Sequence, residues 1–137
     1  MDGLLLIDLD HFKSYNDSRG HLEGDKVLQE VGNVISECTR EHVDFGFRYG
    51  GDEFTVILPE AQADTAHHIA ERIRTMFEEK RFDLLTMSIG LTTYQEGYSV
   101  RKFIQFTDSL MYDAKRAGGN RVYVFGVDEA TEESTAT

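Results

Sequence analysis

Apolar residues recur along the chain with two periods, and the switch between them lays out the elements. Leu4 to Leu9 is apolar at both alternating sets of positions, the pattern of a strand covered on both faces and therefore central in a sheet. Asp10 to Asp17 predicts a short helical or turn segment. Ser18-Arg19-Gly20-His21-Leu22-Glu23-Gly24 predicts a loop broken by two glycines. From Asp25 to about Cys38, Val27, Leu28, Val31, Val34, Ile35 and Cys38 share one helical stripe. Val43 to Tyr49 and Glu53 to Leu58 predict a hairpin around Gly50-Gly51, its second strand ended by Pro59. Gln62 to about Lys80 is the clearest helix, with Ala66, Ile69, Ala70, Ile73, Met76 and Phe77 at helical spacing. Leu85 to Tyr94 predicts a strand. Val100 to Ala117 predicts a helix striped by Phe103, Phe106, Leu110, Met111 and Ala114 and stopped by Gly118-Gly119. Arg121 to Phe125 predicts a last short strand.

The order is β-α-α-β-β-α-β-α-β. A hairpin set among helices predicts an α/β fold: a mixed central sheet containing an antiparallel hairpin, with helices packed on it. No repeat or linker divides the chain, so residues 1–126 are expected to form one domain and 127–137 an acidic flexible tail.

Charge narrows the partners. A net charge of −11 opposes sequence-independent binding to a nucleic-acid backbone, which needs clustered Lys and Arg. A small phosphorylated ligand remains open, because a divalent metal offsets carboxylates locally. The single Cys38 excludes an internal disulfide and falls on an apolar helix face, where a buried inert thiol is the expectation. The longest apolar run, Leu4-Leu5-Leu6-Ile7, is too short for a signal peptide or a membrane segment.

Candidate chemistry gathers at strand ends. In Arg48-Tyr49-Gly50-Gly51-Asp52-Glu53-Phe54, Gly50 and Gly51 are expected to take positive φ at both centres of a tight turn and to let a flat ligand approach bare backbone. Asp52 and Glu53 follow where the hairpin starts back, expected on opposite faces by strand alternation. Asp8-Leu9-Asp10 closes the first strand. If that strand lies beside the hairpin, Asp8, Asp52 and the Leu9 carbonyl make a hard oxygen site suited to Mg²⁺ or Mn²⁺; the alternative is ordinary solvated strand-end acids. Phe12-Lys13 opens a helical turn whose free N–H groups suit phosphate, although an exposed Lys there is commonplace. Asn16 and Asp25 together match the guanine edge; taken alone they read first as a turn residue and a helix N-terminal residue. Lys115, Arg116 and Arg121 form a small basic group, either for phosphates or as helix C-terminal cations. None of the five histidines has convincing metal spacing.

The run from Arg48 to Phe54 resembles the signature of the GGDEF family, the diguanylate cyclase domains of bacteria. Leu6-Ile7-Asp8-Leu9-Asp10-His11-Phe12-Lys13, Asn16-Asp17, Gly20-His21, Gly24-Asp25, Ser88-Ile89-Gly90 and Ala114-Lys115 stand in the family's order and spacing, so the likeness covers roughly residues 4–125. It implies a fold similar to class III nucleotide cyclases and polymerase palms, and condensation of two GTP into cyclic di-GMP with release of pyrophosphate. By position, Asp8, Asp52 and the Leu9 carbonyl would carry Mg²⁺ (or Mn²⁺), with Glu53 a further metal or acid–base residue. Asn16 and Asp25 would read guanine. The Phe12 and Lys13 main chain and the Lys115 side chain would hold phosphates beside Gly50 and Gly51. One GTP per chain implies a homodimer, and the resemblance further implies a sensor domain upstream of this chain and a bacterial cytoplasmic setting, as the cytosolic part of a larger signalling protein.

Three departures stand out. The family's inhibitory Arg-x-x-Asp keeps Asp44 but has Glu41 at the Arg position, and Arg40, one residue off register, is expected to point elsewhere; strong product inhibition is not expected. Gly119 replaces an Arg that the family often uses on the triphosphate. The chain starts at the first strand, without the family's preceding helical segment. These leave a rival reading: a catalytically silent GTP-binding or protein-interaction module.

Overall fold

The predicted order of elements holds in the structure, a computed structural model that describes residues 2–125. The elements are β1 (Gly3–Asp10), α1 (Phe12–Arg19), α2 (His21–Cys38), β2 (Phe45–Gly50), β3 (Glu53–Leu58), α3 (Ala63–Glu78), β4 (Thr86–Thr93), α4 (Val100–Arg116) and β5 (Arg121–Val124). The expected acidic tail lies outside the described residues.

One five-stranded sheet runs β2-β3-β1-β4-β5. The doubly apolar β1 is its middle strand, antiparallel to both β3 and β4. β4 and β5 pair in parallel, and α4 supplies the crossover between them. The sheet is therefore mixed, as expected.

Alternation along β1 splits the molecule into two layers. Leu5, Ile7 and Leu9 are fully buried with Val56, Leu58, Met87, Ile89 and Leu91 beneath α2 and α3, whose Val27, Val31, Ile73 and Phe77 complete the core. Each such side chain contributes about 2 kcal/mol by leaving water. Leu4, Leu6, Asp8 and Asp10 occupy the opposite face. There α4 covers β4 and its neighbours, so close to Gly90 that its backbone at Thr107 and Met111 leaves no room for a Cβ. Beyond α4, over β2 and β3, that face opens into an apolar groove of about 530 Å³ lined by Leu6, Phe47, Tyr49, Ile57 and Ile104.

The α1–α2 connection and the start of the hairpin differ from the sequence expectation. The loop expected over 18–24 shrinks to Gly20, at φ 91°, and α2 begins at His21. Gly24 is no breaker: it is buried inside the helix because Asn16 and Phe12 of α1 pack onto its bare Cα. The hairpin strand expected from Val43 starts at Phe45 instead. The amides of Val43 and Asp44 turn back onto the Arg40 carbonyl, at 3.1 and 3.0 Å, which delays the strand.

Candidate active site

The tip of the hairpin differs in phase from the expectation. Gly50 is the last residue of β2 and pairs with Glu53, so the two-residue turn is Gly51-Asp52. Only Gly51 takes positive φ, 54°, rather than both glycines. Tyr49 is the odd residue where the register shifts between Arg48 and Gly50. Arg48 Nε donates to the Gly51 carbonyl at 2.8 Å and pins the turn.

That phase brings the carboxylates together instead of setting them on opposite faces. Asp8 and Glu53 are direct cross-strand partners and share a face. Asp52 belongs to the turn, outside strand alternation, and its carbonyl accepts the Leu9 N–H at 3.1 Å. Carboxylate oxygens of Asp8, Asp52 and Glu53 consequently lie within 4.8 Å of one another. The Leu9 carbonyl faces the same place, receiving Lys115 Nζ at 3.4 Å.

Electrostatics mark Asp8 as the unusual member. Burial, then the nearby Asp52 and Glu53 charges, push its carboxyl up to about 7 against the opposing pull of Lys115. Lys115 Nζ approaches Asp8 Oδ1 to 3.4 Å, yet no hydrogen bond of good geometry reaches that buried oxygen. A buried, unsatisfied anionic oxygen among two further carboxylates and a carbonyl calls for a cation. The all-oxygen donor set fits a hard divalent ion such as Mg²⁺ or Mn²⁺.

Asp10, which the sequence offers only as the second acid of Asp8-Leu9-Asp10, takes a role of its own in the structure. Its carboxylate accepts Ser88 Oγ at 2.6 Å, Thr86 Oγ1 at 2.7 Å, the Asn120 N–H at 2.9 Å and Lys115 Nζ at 3.3 Å. Burial pushes its pKa up, but the Ser88, Thr86 and Asn120 hydrogen bonds and Lys115 outweigh it and hold the carboxyl below its usual range. Asp10 thereby ties the end of β1 to β4, to the loop after α4 and to Lys115. The one sequence signal was its i, i+2 spacing from Asp8; its partners become visible only with the β1–β4 register, which sets Thr86 opposite Asp10.

The remaining candidates surround this cluster. Phe12 and Lys13 form the first turn of α1, whose N–H groups have no intrahelical partner, and His11 before them offers no side-chain cap. Asn16 presents its carboxamide against Gly24 and meets His21 Nδ1 at 3.1 Å through Nδ2. Asp25 lies one residue on, exposed at the edge of a groove of about 1430 Å³ between α2 and β2 that also includes Phe47, Arg48 and Phe54. Asn16 and Asp25 are thus neighbours through the α1–α2 contact. Lys115 sits in the last turn of α4 and reaches back to β1.

Two of the departures acquire a physical form. Arg40 does not point away from Asp44: its Nε and Nη2 grip both carboxylate oxygens at 2.7–3.2 Å, and Nη2 also donates to the Pro59 carbonyl at 2.9 Å. The Asp44 side chain is wholly buried by this grip. Gly119 has φ 76°, and a Cβ there would stand 2.7 Å from Asp10 Oδ2, so the carboxylate that anchors the loop also demands a glycine. Of the small basic group, Arg116 lies over the Tyr112 ring at 5.7 Å. Arg121 lies on the same cross-strand row as Glu53, Asp8 and Ser88.

A hairpin carrying carboxylates, laid against a central strand that carries another and beside free helix N-terminal amides, defines a domain of the nucleotide-cyclase and polymerase-palm type. A sequence profile described as "Diguanylate cyclase, GGDEF domain" matches residues 2–121, and the chain belongs to the GGDEF domain family. It is 41% identical to diguanylate cyclase A of Treponema denticola over 126 residues, 87% of this chain and 34% of that protein. It is 38% identical to diguanylate cyclase DosC of Escherichia coli K12, over 87% of this chain and 27% of that protein. The chain spans about a third or less of the curated relatives it matches. Among solved structures, the GGDEF domain of DgcB from Caulobacter crescentus in complex with c-di-GMP superposes with a TM-score of 0.82 at 32% identity, covering 90% of this chain and 77% of that one. The active GGEEF domain of a diguanylate cyclase from Vibrio cholerae gives 0.83 at 30% identity, covering 91% and 83%. No helix among the described residues is long and apolar enough to cross a membrane.

Proposed function

We propose that this domain condenses two GTP molecules into cyclic di-GMP with release of pyrophosphate, in bacterial second-messenger signalling. The observation that carries the reading is the convergence of Asp8, Asp52 and Glu53 within 4.8 Å, next to the free amides of α1. Asp8, Asp52 and the Leu9 carbonyl would hold Mg²⁺ or Mn²⁺, with Glu53 as a further ligand or as the base for the 3′-hydroxyl. Such an ion, when bound, lowers the cost of ionising that hydroxyl and offsets charge on the α-phosphate and departing pyrophosphate.

The chain's own groups supply the rest. The Phe12 and Lys13 amides, at the positive end of α1, receive phosphate oxygens, and Lys115 adds a movable charge. Gly50 and Gly51 keep the hairpin tip bare where the nucleotide passes. Asn16 offers both a donor and an acceptor, and Asp25 accepts N1–H and N2–H₂ of guanine. Arg121, on the Asp8 row and holding the Gly119 carbonyl through its Nε at 2.9 Å, is the candidate replacement for the family's missing Arg. One GTP per domain requires two domains to meet face to face, so activity requires a homodimer with twofold symmetry. A sensor domain elsewhere in a longer cytoplasmic protein would control that encounter. Residues 1–126 would be the catalytic unit.

Incubating purified protein with GTP and Mg²⁺ or Mn²⁺ and resolving the products by chromatography tests the proposal. Cyclic di-GMP that disappears in Asp52→Ala is the expected result. GTP binding without turnover, even with dimerisation enforced, would overturn it in favour of the silent module, the reading that the loss of the Arg at position 119 supports.

Feedback is the second expectation. With Asp44 locked by Arg40 and Glu41 exposed where the family has Arg, cyclic di-GMP finds neither charge it needs. Added product should slow the initial rate less than about twofold at concentrations up to roughly a hundred times those of the enzyme, because a site without paired contacts gives no affinity to compete. Steep inhibition that vanishes in Asp44→Ala would refute this.

A further inference from the structure

We propose that the Lys115 ammonium is a resident counter-cation that must leave the carboxylate site before a divalent ion enters, and that nucleotide phosphate is what draws it away. This rests on reading the site as cation-binding.

Lys115 Nζ stands 3.4 Å from the Leu9 carbonyl, 3.4 Å from Asp8 Oδ1 and 3.3 Å from Asp10 Oδ1. The first two are oxygens that would hold the metal. A charge-assisted N–H···O contact normally closes to about 2.7–2.9 Å. Here the ammonium is spread over three oxygens and locked to none. Its side chain is 30% exposed, so it has a way out.

Departure leaves Asp10 satisfied and leaves Asp8, Asp52 and Glu53 to the incoming divalent ion. Asp10 keeps Ser88, Thr86 and the Asn120 amide after Lys115 moves. Two cations sharing Asp8 and the Leu9 carbonyl would repel at close range. Metal alone must therefore displace the ammonium, and nucleotide alone must bring phosphates toward three carboxylates. Together each removes the other's obstacle, and Lys115 passes from carboxylate to phosphate. Metal and nucleotide are then taken up cooperatively, and Lys115 is the residue that couples them.

The test is a Mn²⁺ titration followed by electron paramagnetic resonance of the free ion, first without nucleotide. Lys115→Met should bind Mn²⁺ roughly tenfold more tightly than the unaltered protein, as expected when a like charge within about 4 Å is removed. With a GTP analogue carrying a methylene at the α–β bridge, the advantage should vanish or reverse, because the variant cannot transfer its charge to phosphate. Lys115→Gln should reproduce both results, and circular dichroism of the two variants checks that they fold. Equal or weaker Mn²⁺ binding by folded Lys115→Met and Lys115→Gln without nucleotide would overturn the inference. A different failure identifies the underlying reading: Mn²⁺ binding that is unchanged in Asp8→Asn shows that the carboxylates are not the metal site at all.

Discussion

Asp8→Asn should abolish the proposed cyclase activity and at the same time make the metal-free protein more stable. Turnover should fall by more than about a hundredfold, the loss that removing even an outer partner of a metal site can bring. In EDTA at pH 8 the variant should melt about 5 °C higher than the unaltered protein. The reason is the position of Asp8, 8% exposed and facing Asp52 and Glu53, which raises its carboxyl to about 7. A carboxyl with a raised folded pKa binds more protons in the native than in the unfolded chain between the two values. Its favourable contribution is therefore complete below about pH 4 and is lost as the pH climbs through about 7. At pH 8 the native state carries the full cost of a buried carboxylate. That cost is capped at about 4 kcal/mol for a shift of this size, and the loss of the Lys115 contact and partial hydration reduce the expected gain to about 1–2 kcal/mol. Asn keeps the shape without the charge. The advantage should shrink to nothing near pH 4, and saturating Mg²⁺ should reverse it by stabilising only the unaltered protein. Thermal melts at pH 4.5 and 8, with EDTA or Mg²⁺, check all of this. An Asp8→Asn variant that melts lower than the unaltered protein in EDTA at pH 8 would contradict it.

The same site shows what a sequence can and cannot announce. β1 was legible as the central strand because Leu4 to Ile7 leaves neither face polar, and a strand with two apolar faces needs cover on both. The hairpin was legible from its glycines, and with it the identity of Asp52 and Glu53. Their convergence was not, because it depends on a one-residue difference in turn phase that the bulge at Tyr49 introduces. Strand alternation places Asp52 and Glu53 apart; a turn position for Asp52 places them together. Gly24 misled for a similar reason. A glycine near a polar run reads as a break until the packing of Asn16 and Phe12 against it is known. Asp10 was hidden most deeply, since Ser88, Thr86, Lys115 and Asn120 lie 76–110 residues away along the chain and reach it only through the β1–β4 register and the return of α4. Arg40 carried the opposite lesson: a shift of one position did not turn it from Asp44, because the side chain is long enough to close a local clamp.

Gly90→Ala should strongly destabilise the protein, and it should damage the site from a distance. Gly90 lies in β4, paired with Leu6 of β1, on the face that α4 covers. A Cβ at this position would press into the Thr107 carbonyl, stand 2.6 Å from the Met111 nitrogen and 3.2 Å from Leu110 Cβ. Two of these three are helix backbone, which cannot rotate aside as a side chain can. The helix itself must lift, and overpacking of this kind costs about 3 kcal/mol. For a domain of this size that corresponds to a fall in melting temperature of roughly 10 °C. Lys115 follows Met111 by one turn on α4, and the Gly118-Gly119-Asn120 loop that Asp10 holds follows directly after the helix. A lifted α4 therefore carries Lys115 away from Leu9 and Asp8 and strains the Asn120 contact. Activity should be lost even at temperatures where the variant remains folded. Gly32→Ala makes the contrast: it sits within α2 with nothing inside 4 Å of the new Cβ, and should stabilise the protein by about 0.5–1 kcal/mol with activity intact. Melting curves and initial rates of the two variants decide the matter, and a Gly90→Ala protein melting within about 1 °C of the unaltered chain would show that α4 does not rest on β4 as closely as described, since an overpacked core gives no such result.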